Sequence, residues 1–153
     1  MDELVSILMC VHNECREYLN MAVQSMCRQT YRNIEILLVD DFSDSECKAE
    51  IARLKSLFPD VIKVIENSEN LGITASLNAG LRQCSGKYIA RMDADDFSHP
   101  ERIERQVAFL DKYKEIDIVG CGVITFGAKN VYYSPAFGMD DDHAKCNLLF
   151  SST

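Results

Sequence analysis

The strongest constraint on the fold is a regular alternation between short apolar runs and segments with helical periodicity. LVSILMCV at residues 4–11 and IEILLVD at residues 34–40 are almost continuously apolar, which is typical of strands buried on both faces of a parallel sheet. Shorter apolar runs lie at residues 61–67, 87–93 and 117–127. Apolar residues at helical spacing predict the intervening helices, at residues 13–29, 45–58, 73–84 and 100–113. This alternation predicts a doubly wound α/β fold, with a mostly parallel sheet and helices on both faces.

The pattern weakens toward the end of the chain. KNVYYSPAF at residues 129–137 predicts a short strand, and MDDDHAKCNLLF at residues 139–150 predicts a helix with acids in its first turn. We find no repeat and no linker, so residues 1–153 are predicted to form a single domain. Because the chain stops without a closing element, we expect it to be truncated.

Composition excludes several classes of function. A formal net charge of −8 disfavours a nucleic-acid partner, because phosphates are neutralised by lysine and arginine. No apolar run approaches the roughly 18 residues that a membrane span needs, and the start of the chain lacks the basic region of a secretion signal. We therefore expect a cytoplasmic protein. The seven cysteines include no C-x-x-C pair, so neither a zinc site nor a disulfide framework is predicted.

Polar residues follow each of the first four predicted strands, as HNE, DDFSD, ENSEN and DADD. Ligands of open α/β sheets bind at the carboxyl ends of the strands, near the point where the strand order reverses. Parallel neighbours would bring these residues to one rim. Two aspartate clusters there favour a hard divalent cation, which prefers oxygen ligands and keeps water or phosphate in its remaining positions.

Each cluster also has a simpler interpretation. Within DDFSD, Ser43 or Asp44 could cap the next helix. DADD holds three acids, more than a cap needs, with Arg91 as a candidate ion-pair partner and Asp96 as a candidate cap. A calcium loop of the helix–loop–helix kind is excluded, because Phe97 and Ser98 replace the required oxygen ligand and glycine.

ILLVDD also resembles the end of the first strand in receiver domains that accept a phosphoryl group, with Asp93 and Lys145 at suitable distances along the chain. Here, however, ILLVDD is the second predicted strand, behind a complete strand–helix unit. The receiver interpretation is therefore the weaker alternative. A nucleotidyltransferase is disfavoured too, because no glycine-rich phosphate loop follows the first strand.

Four fragments in order resemble family 2 glycosyltransferases. The opening, VSILMCVHNECREYLNMAVQSMCRQTYRNIEILLVDDFSDS, resembles the family's strand, P-x-Y-N-like turn, helix, Q-T-Y, second strand and V-D-D-x-S. ENLGITASLNAG resembles the next family segment, and GKYIARMDADDFSHPERIERQVAFL resembles the D-x-D segment with the helix after it. The subgroup with R-M-D-A-D-D resembles transferases of bacterial exopolysaccharide, capsule and lipopolysaccharide synthesis, such as the amylovoran type. The resemblance runs from about Leu4 to Gly127.

The resemblance implies a GT-A fold with a nucleotide-sugar across the ends of the first strands. Cys10 and His12 would line the nucleobase pocket, and Asp41 would hydrogen-bond the base, usually uracil. Asp93 matches the first acid of D-x-D, near the ribose and the metal. Asp95 matches the acid that ligates the Mn²⁺ or Mg²⁺ bridging the diphosphate.

The chain departs from the family pattern at two places. Cys10 and His12 replace the proline and the aromatic residue of the P-x-Y-N turn, so the base preference is not carried over. The family's general base lies several dozen residues beyond Phe150, and the acids at residues 140–142 come too early for that role. No catalytic residue is therefore assigned.

By resemblance, the chain is expected to be the donor-binding part of an inverting, metal-assisted glycosyltransferase. It would move a sugar from a UDP-sugar to a glycan or lipid-linked acceptor in cell-surface polysaccharide synthesis. Two further properties are compatible with this interpretation: peripheral association with the inner face of the membrane and assembly as a homodimer. The alternative function is that of a catalytically inert fragment that binds nucleotide-sugars but lacks the general base.

Overall fold

The computed structural model describes residues 2–126 and 131–134. Strands and helices alternate along residues 5–112, as the apolar pattern predicts. The elements in chain order are β1 (Val5–Val11), α1 (Arg16–Cys27), β2 (Ile34–Asp40), α2 (Ser45–Leu57), β3 (Ile62–Glu66), α3 (Ile73–Leu81), β4 (Tyr88–Arg91), α4 (Arg102–Lys112), β5 (Val123–Phe126) and β6 (Val131–Ser134).

The first four strands form one parallel sheet in the order β3-β2-β1-β4. The chain therefore winds outward from β1 to β3 and returns to the other side of β1, which places the reversal of strand order between β1 and β4. The strands end at different heights: Val11 of β1 pairs with Asp40 of β2, whereas the last residue of β4, Arg91, pairs with Leu8. The predicted doubly wound sheet is confirmed.

Helices cover both faces of this sheet. Alternate residues of β1 and β2, such as Ile7 and Leu38, pack against α1, α2 and α4 in the larger apolar core. The opposite face of these strands packs against α3 through Leu8, Val39 and Leu77. At Gly80 of α3 an added Cβ would lie 2.3 Å from Leu8 Cδ1, so the helix packs this closely on the sheet only because residue 80 is glycine.

The predicted fifth strand differs from the structure. The sequence pattern predicts it over residues 117–127, but β5 covers only Val123–Phe126 and pairs antiparallel with β6, outside the parallel sheet. Ile118 is 88% exposed, so its apolar character does not reflect burial within the described residues. The predicted short strand at 129–137 is found as β6, and the helix predicted at 139–150 lies outside the described residues.

At the amino ends of the strands, a buried carboxylate ties the sheet to the turn before β4. Glu35 accepts hydrogen bonds from Ser6 Oγ at 2.6 Å, Lys63 Nζ at 2.6 Å and Ser85 N at 2.8 Å. Burial raises the pKa of Glu35, but these donors outweigh it and lower the pKa to about 2. This network lies at the end of the sheet opposite to the polar turns.

Among the described residues, none of the helices has both the length and the apolar character needed to cross a membrane.

Candidate functional site at the carboxyl ends of the strands

The polar turns predicted from the sequence do meet at one rim. β1, β2 and β3 end level with one another, because Val11 pairs with Asp40 and Asp40 pairs with Glu66. The segment after β4 joins them beside β1, since Met92 N donates to Leu8 O at 3.1 Å. Continuing this pairing by two residues brings Asp93 level with Cys10.

Asp41 organises the loop that leads into α3. Its residue is only 2% exposed, and Oδ1 accepts hydrogen bonds from Asn67 Nδ2 and Leu71 N, both at 2.8 Å. Oδ2 accepts one from Gly72 N at 2.9 Å. Burial raises the pKa of this carboxyl, but the hydrogen bonds outweigh it and hold the pKa below its ordinary value. Asp41 therefore stays ionised at neutral pH and fixes residues 67–72 against β2.

The ring of His12 is held by hydrogen bonds to Asp41, Asn70 and Asn13. Its Nδ1 lies 2.8 Å from the carbonyl oxygen of Asp41, and because a carbonyl only accepts, Nδ1 carries the proton. Nε2 then accepts, and it lies 3.1 Å from Asn70 Nδ2 and 3.3 Å from Asn13 Nδ2. Both ring nitrogens of His12 are therefore hydrogen-bonded, although the residue is exposed to solvent. A fixed, accessible ring of this kind offers a flat surface to a planar ligand.

The turn after β2 is held by short polar links to the turn after β1. Asn13 has a φ of 54° and Phe42 a φ of 62°, a left-handed conformation that is uncommon outside glycine. Asn13 Oδ1 accepts from Asp44 N at 2.7 Å, and Asn13 N donates to Ser43 Oγ at 3.2 Å. Asp44 itself caps α2 by accepting from Cys47 N at 2.9 Å. Within DDFSD, Asp44 is therefore the cap.

Cys10 lies between the two parts of the rim. Burial raises the pKa of its thiol, a hydrogen bond with Ser76 lowers it, and the charges of Asp41, Asp40 and Asp93 raise it again. The net effect keeps the thiol protonated at neutral pH. The strand register places Cys10 between the two carboxylates: it pairs with Val39, two residues before Asp41, and lies level with Asp93 on its other side.

The acidic segment, residues 93–96, lies open to solvent on the β4 side. Asp93, Asp95 and Asp96 are all exposed, and Arg91 Nη2 pairs with Asp93 Oδ1 at 2.9 Å. The pKa of Asp96 is raised, mainly by partial burial and to a smaller extent by the charges of Asp93 and Asp95. Asp96 does not cap the next helix, because α4 begins after Glu101. The segment therefore concentrates negative charge that Arg91 and Arg102 offset in part.

The acidic segment fits a divalent cation that is shared with a ligand. Among the described residues, no three His, Cys, Asp or Glu side chains form a preformed metal cluster. Exposed carboxylates are hard oxygen donors that leave most coordination positions to water or phosphate. Partial burial is the main cause that raises the pKa of Asp96, and the charges of Asp93 and Asp95 add to it. A bound cation would offset both effects by favouring the ionised carboxylate.

All four residues predicted to bind the nucleotide-sugar lie on this rim. The sequence reasoning missed the residues that hold them, namely Asn67, Asn70, Gly72 and Ser76. The clue was available in ENSEN and ENLGITASLNAG, where two asparagines and a glycine separate a strand from a helix. Gly72 has a φ of 78° and a ψ of 162°, a conformation that essentially only glycine adopts.

Fold and site together define a class of α/β protein that binds its ligand across the switch point of a doubly wound parallel sheet. The profile of the family described as Glycosyl transferase family 2 matches residues 6–147. The chain belongs to this family. The receiver interpretation of ILLVDD is therefore wrong.

Two curated relatives agree with this assignment. The chain is 39% identical over 122 residues to the putative glycosyltransferase EpsE of Bacillus subtilis (strain 168), covering 80% of this chain and 44% of EpsE. It is 39% identical over 125 residues to the amylovoran biosynthesis glycosyltransferase AmsE of Erwinia amylovora, covering 80% of this chain and 46% of AmsE. The chain thus spans less than half the length of either relative.

Solved structures share the fold. The mannosyltransferase PcManGT of Pyrobaculum calidifontis, in complex with GDP-Man and Mn²⁺, superposes with a TM-score of 0.65 at 23% identity, over 69% of this chain and 32% of that one. TarS of S. aureus, in complex with UDP-GlcNAc, superposes with a TM-score of 0.64 at 22% identity, over 72% and 32%. At these identities the likeness establishes the fold, a GT-A-type glycosyltransferase domain, as predicted.

Proposed function

We propose that this chain is the donor-binding part of a glycosyltransferase and that it binds a UDP-sugar together with Mn²⁺ or Mg²⁺. One observation carries the proposal: a rigid cluster around His12 and Asp41 and an exposed acidic segment lie on either side of Cys10 at one switch point. A nucleoside diphosphate has a planar base at one end and an anionic diphosphate at the other. The two parts of the rim match these two ends.

In this proposal the base lies against the ring of His12, beside Cys10, in the pocket that Asp41 organises. Both oxygens of Asp41 already accept hydrogen bonds from residues 67–72, so Asp41 acts chiefly through the loop that it fixes. Asp93 lies nearer the ribose and shares the cation with Asp95. Arg91 orients Asp93 through their ion pair.

A bound cation would supply the positive field that the acids lack and would stabilise the charge on the leaving diphosphate. Without it, the aspartates of this rim would repel a diphosphate. The complexes of PcManGT with Mn²⁺ and of TarS with UDP-GlcNAc support this choice of ligands.

For the whole protein, we propose transfer of the sugar to a glycan or lipid-linked acceptor in cell-surface polysaccharide synthesis. The similarity to AmsE, a glycosyltransferase of amylovoran biosynthesis, supports this. Such a transferase would act in the cytoplasm, at the inner face of the membrane. No general base is assigned, because residues 140–142 lie outside the described residues and precede the region where the family carries it.

Calorimetric titration of UDP and GDP, with Mn²⁺ and with a chelator, tests the proposal. We expect wild-type protein to bind UDP more tightly than GDP, and more tightly with Mn²⁺ than without. Asp95→Asn should weaken Mn²⁺-dependent binding about tenfold or more, because a metal ligand is lost. Asp60→Asn is the matched control, since it removes the same charge from an exposed residue before β3.

Absence of nucleotide binding by the wild-type chain would overturn the proposal. Binding that Asp95→Asn leaves unchanged would remove the assigned role of Asp95. Binding of a UDP-sugar without release of the sugar, even when acceptor is added, would favour the inert nucleotide-sugar-binding alternative.

A further inference from the structure

The acidic segment is exposed, yet a metal site needs its carboxylates at fixed positions. Its own backbone supplies little: within it, Asp96 N donates to Asp93 O at a long 3.3 Å. Upstream, the segment is attached to the sheet through Met92 N and Leu8 O at 3.1 Å. Its geometry therefore depends on what holds the chain downstream, between Asp96 and α4.

The downstream attachment is the side chain of Gln29, two residues beyond the end of α1. Gln29 is completely buried. Its Nε2 donates to His99 O at 2.9 Å and to Ser98 Oγ at 3.3 Å, and its Oε1 accepts from Ile103 N at 3.1 Å. The amide side chain of Gln29 thus contacts both the chain that follows the acidic segment and the first turn of α4.

The contact with Ile103 also serves as a helix cap. The first N–H groups of a helix lack intrahelical acceptors, and the N-cap residue of α4, Glu101, makes no side-chain cap hydrogen bond. Gln29 Oε1 provides an acceptor from a distant part of the chain. Gln29, in the turn after α1, therefore helps to set the position at which α4 begins.

Neighbouring residues strengthen the same attachment. Ser25 Oγ, on α1, accepts from Ser98 N at 3.1 Å. Thr30 N donates to Pro100 O at 2.9 Å, and Thr30 Oγ1 donates to Glu104 Oε2 at 2.7 Å. These contacts give a structural role to the Q-T segment that the resemblance to the family singles out but does not explain.

We propose that Gln29 is a positioning residue for the metal-binding acids, acting by fixing the chain from Ser98 to Ile103 and thereby the placement of Asp95. The proposal rests on the proposed function, because it assigns the cation to the acidic segment. None of the hydrogen bonds of Gln29 involves the residues around His12 and Asp41. Losing Gln29 should therefore affect the metal-dependent part of nucleotide binding and spare the rest.

Gln29→Met tests this, because methionine has a similar length but no donor and only a weakly accepting sulfur. We expect Mn²⁺-dependent UDP affinity to fall about tenfold, the typical effect of losing a residue that orients a metal ligand. UDP affinity in the presence of a chelator should stay within about twofold of wild type, by the same reasoning. Ser25→Ala removes the acceptor for Ser98 N and a donor to Ala22 O within α1. It leaves the Gln29 side chain in place, so it should show a smaller effect in the same direction, and it provides the test if Gln29→Met does not fold.

The control is Ser6→Ala, which removes a buried hydroxyl bonded to Glu35 and Gly86 at the opposite end of the sheet. It should destabilise the protein without changing the metal dependence. If Gln29→Met lowers UDP affinity equally with Mn²⁺ and with chelator, Gln29 has only a structural role and the proposal fails.

Amide hydrogen exchange of the free protein gives a readout that needs no nucleotide. Exchange across residues 93–102 should accelerate in Gln29→Met and Ser25→Ala but not in Ser6→Ala. Unchanged exchange in both Gln29→Met and Ser25→Ala would overturn the positioning role even if UDP binds as proposed. Conversely, wild-type protein that fails to bind UDP with Mn²⁺ would overturn the proposed function, and with it the link from Gln29 to a metal.

Discussion

The cluster around His12 and Asp41 and the acidic segment after β4 lie on one rim but are built in opposite ways. In the first, a buried carboxylate accepts three hydrogen bonds from one loop, and its pKa is lowered. In the second, three carboxylates are exposed, and the pKa of Asp96 is raised. The first is stable as it stands, whereas the second has electrostatic strain that a cation can relieve. If the chain binds a nucleotide-sugar as proposed, the part of the rim around His12 and Asp41 is preformed, and the acidic segment is completed by ligand and metal.

The largest expected effect comes from breaking the preformed side. Asp41→Asn replaces an acceptor oxygen by an amide that faces backbone donors, so we expect a loss of about 3 kcal/mol in the free energy of unfolding. Asp95→Asn makes the same chemical change at an exposed position and should change stability by no more than about 0.5 kcal/mol. Urea denaturation of both variants compares the two sides directly, and equal losses would contradict the contrast.

The second effect concerns the backbone of the same loop. Gly72 has a φ of 78°, and no atom of the described residues lies within 4 Å of a Cβ added there. Gly72→Ala should therefore cost about 2 kcal/mol through backbone conformation alone. Thermal unfolding measures this cost, and a stability equal to wild type would show that the loop relaxes freely.

The third effect is on binding. Asn70→Ala removes the side chain that donates to His12 Nε2 at 3.1 Å, so the ring loses one of its supports. We expect UDP affinity in chelator to fall about fivefold, equivalent to about 1 kcal/mol, with little change in stability because Asn70 is exposed. The matched control is Asn33→Ala, whose side chain donates to Asp2 O at the opposite end of the sheet. It should leave UDP affinity unchanged.

The smallest effect distinguishes the two sides by pH. The pKa of Asp41 is lowered, so its contribution to stability is present above its unfolded pKa and is lost as pH falls through the folded value. The pKa of Asp96 is raised, so its unfavourable contribution is full above the folded pKa and disappears as pH falls toward the unfolded value.

Asp96→Asn should accordingly stabilise the metal-free protein by only a few tenths of a kcal/mol at pH 7, since solvent screens an exposed carboxylate. The gain should vanish near the ordinary pKa of aspartate. Denaturation curves at pH 7 and at a pH near the ordinary pKa of aspartate, each with and without Mn²⁺, measure this difference in stability. If Asp96→Asn were still more stable than wild type at the acidic pH, the charge argument would be wrong.

Much of this architecture could be predicted from the sequence. The apolar runs of β1 and β2 predict buried parallel strands, and the polar residues after them predict the rim, because parallel strands end at one edge. The network of Asp41 with residues 67–72 could not be predicted, since hydrogen-bond partners some 30 positions apart have no local pattern. Gln29 was missed for the same reason.

The fifth strand was misplaced because periodicity reports apolar character and not the partner of a strand. DIVGCGVITFG at residues 117–127 reads as one strand, but Gly120 and Gly122 interrupt it and weaken strand formation. Among its described residues, the strand is confined to Val123–Phe126, which pair with β6. A prediction of which strand pairs with which requires tertiary information.

The stagger at the rim has a further consequence. β1 continues three residues beyond Leu8, the residue that pairs with the end of β4, a step of about 10 Å at 3.3 Å per residue. The chain after β4 therefore runs beside this projecting end of β1, with Asp93 level with Cys10 and about 7 Å from the level of His12 along the strand. If the chain binds a nucleotide as proposed, a ligand seated against His12 must extend back past Cys10 to reach Asp93. We therefore expect Mn²⁺ to strengthen binding of UDP, which carries a diphosphate, and not of uridine, which carries no phosphate.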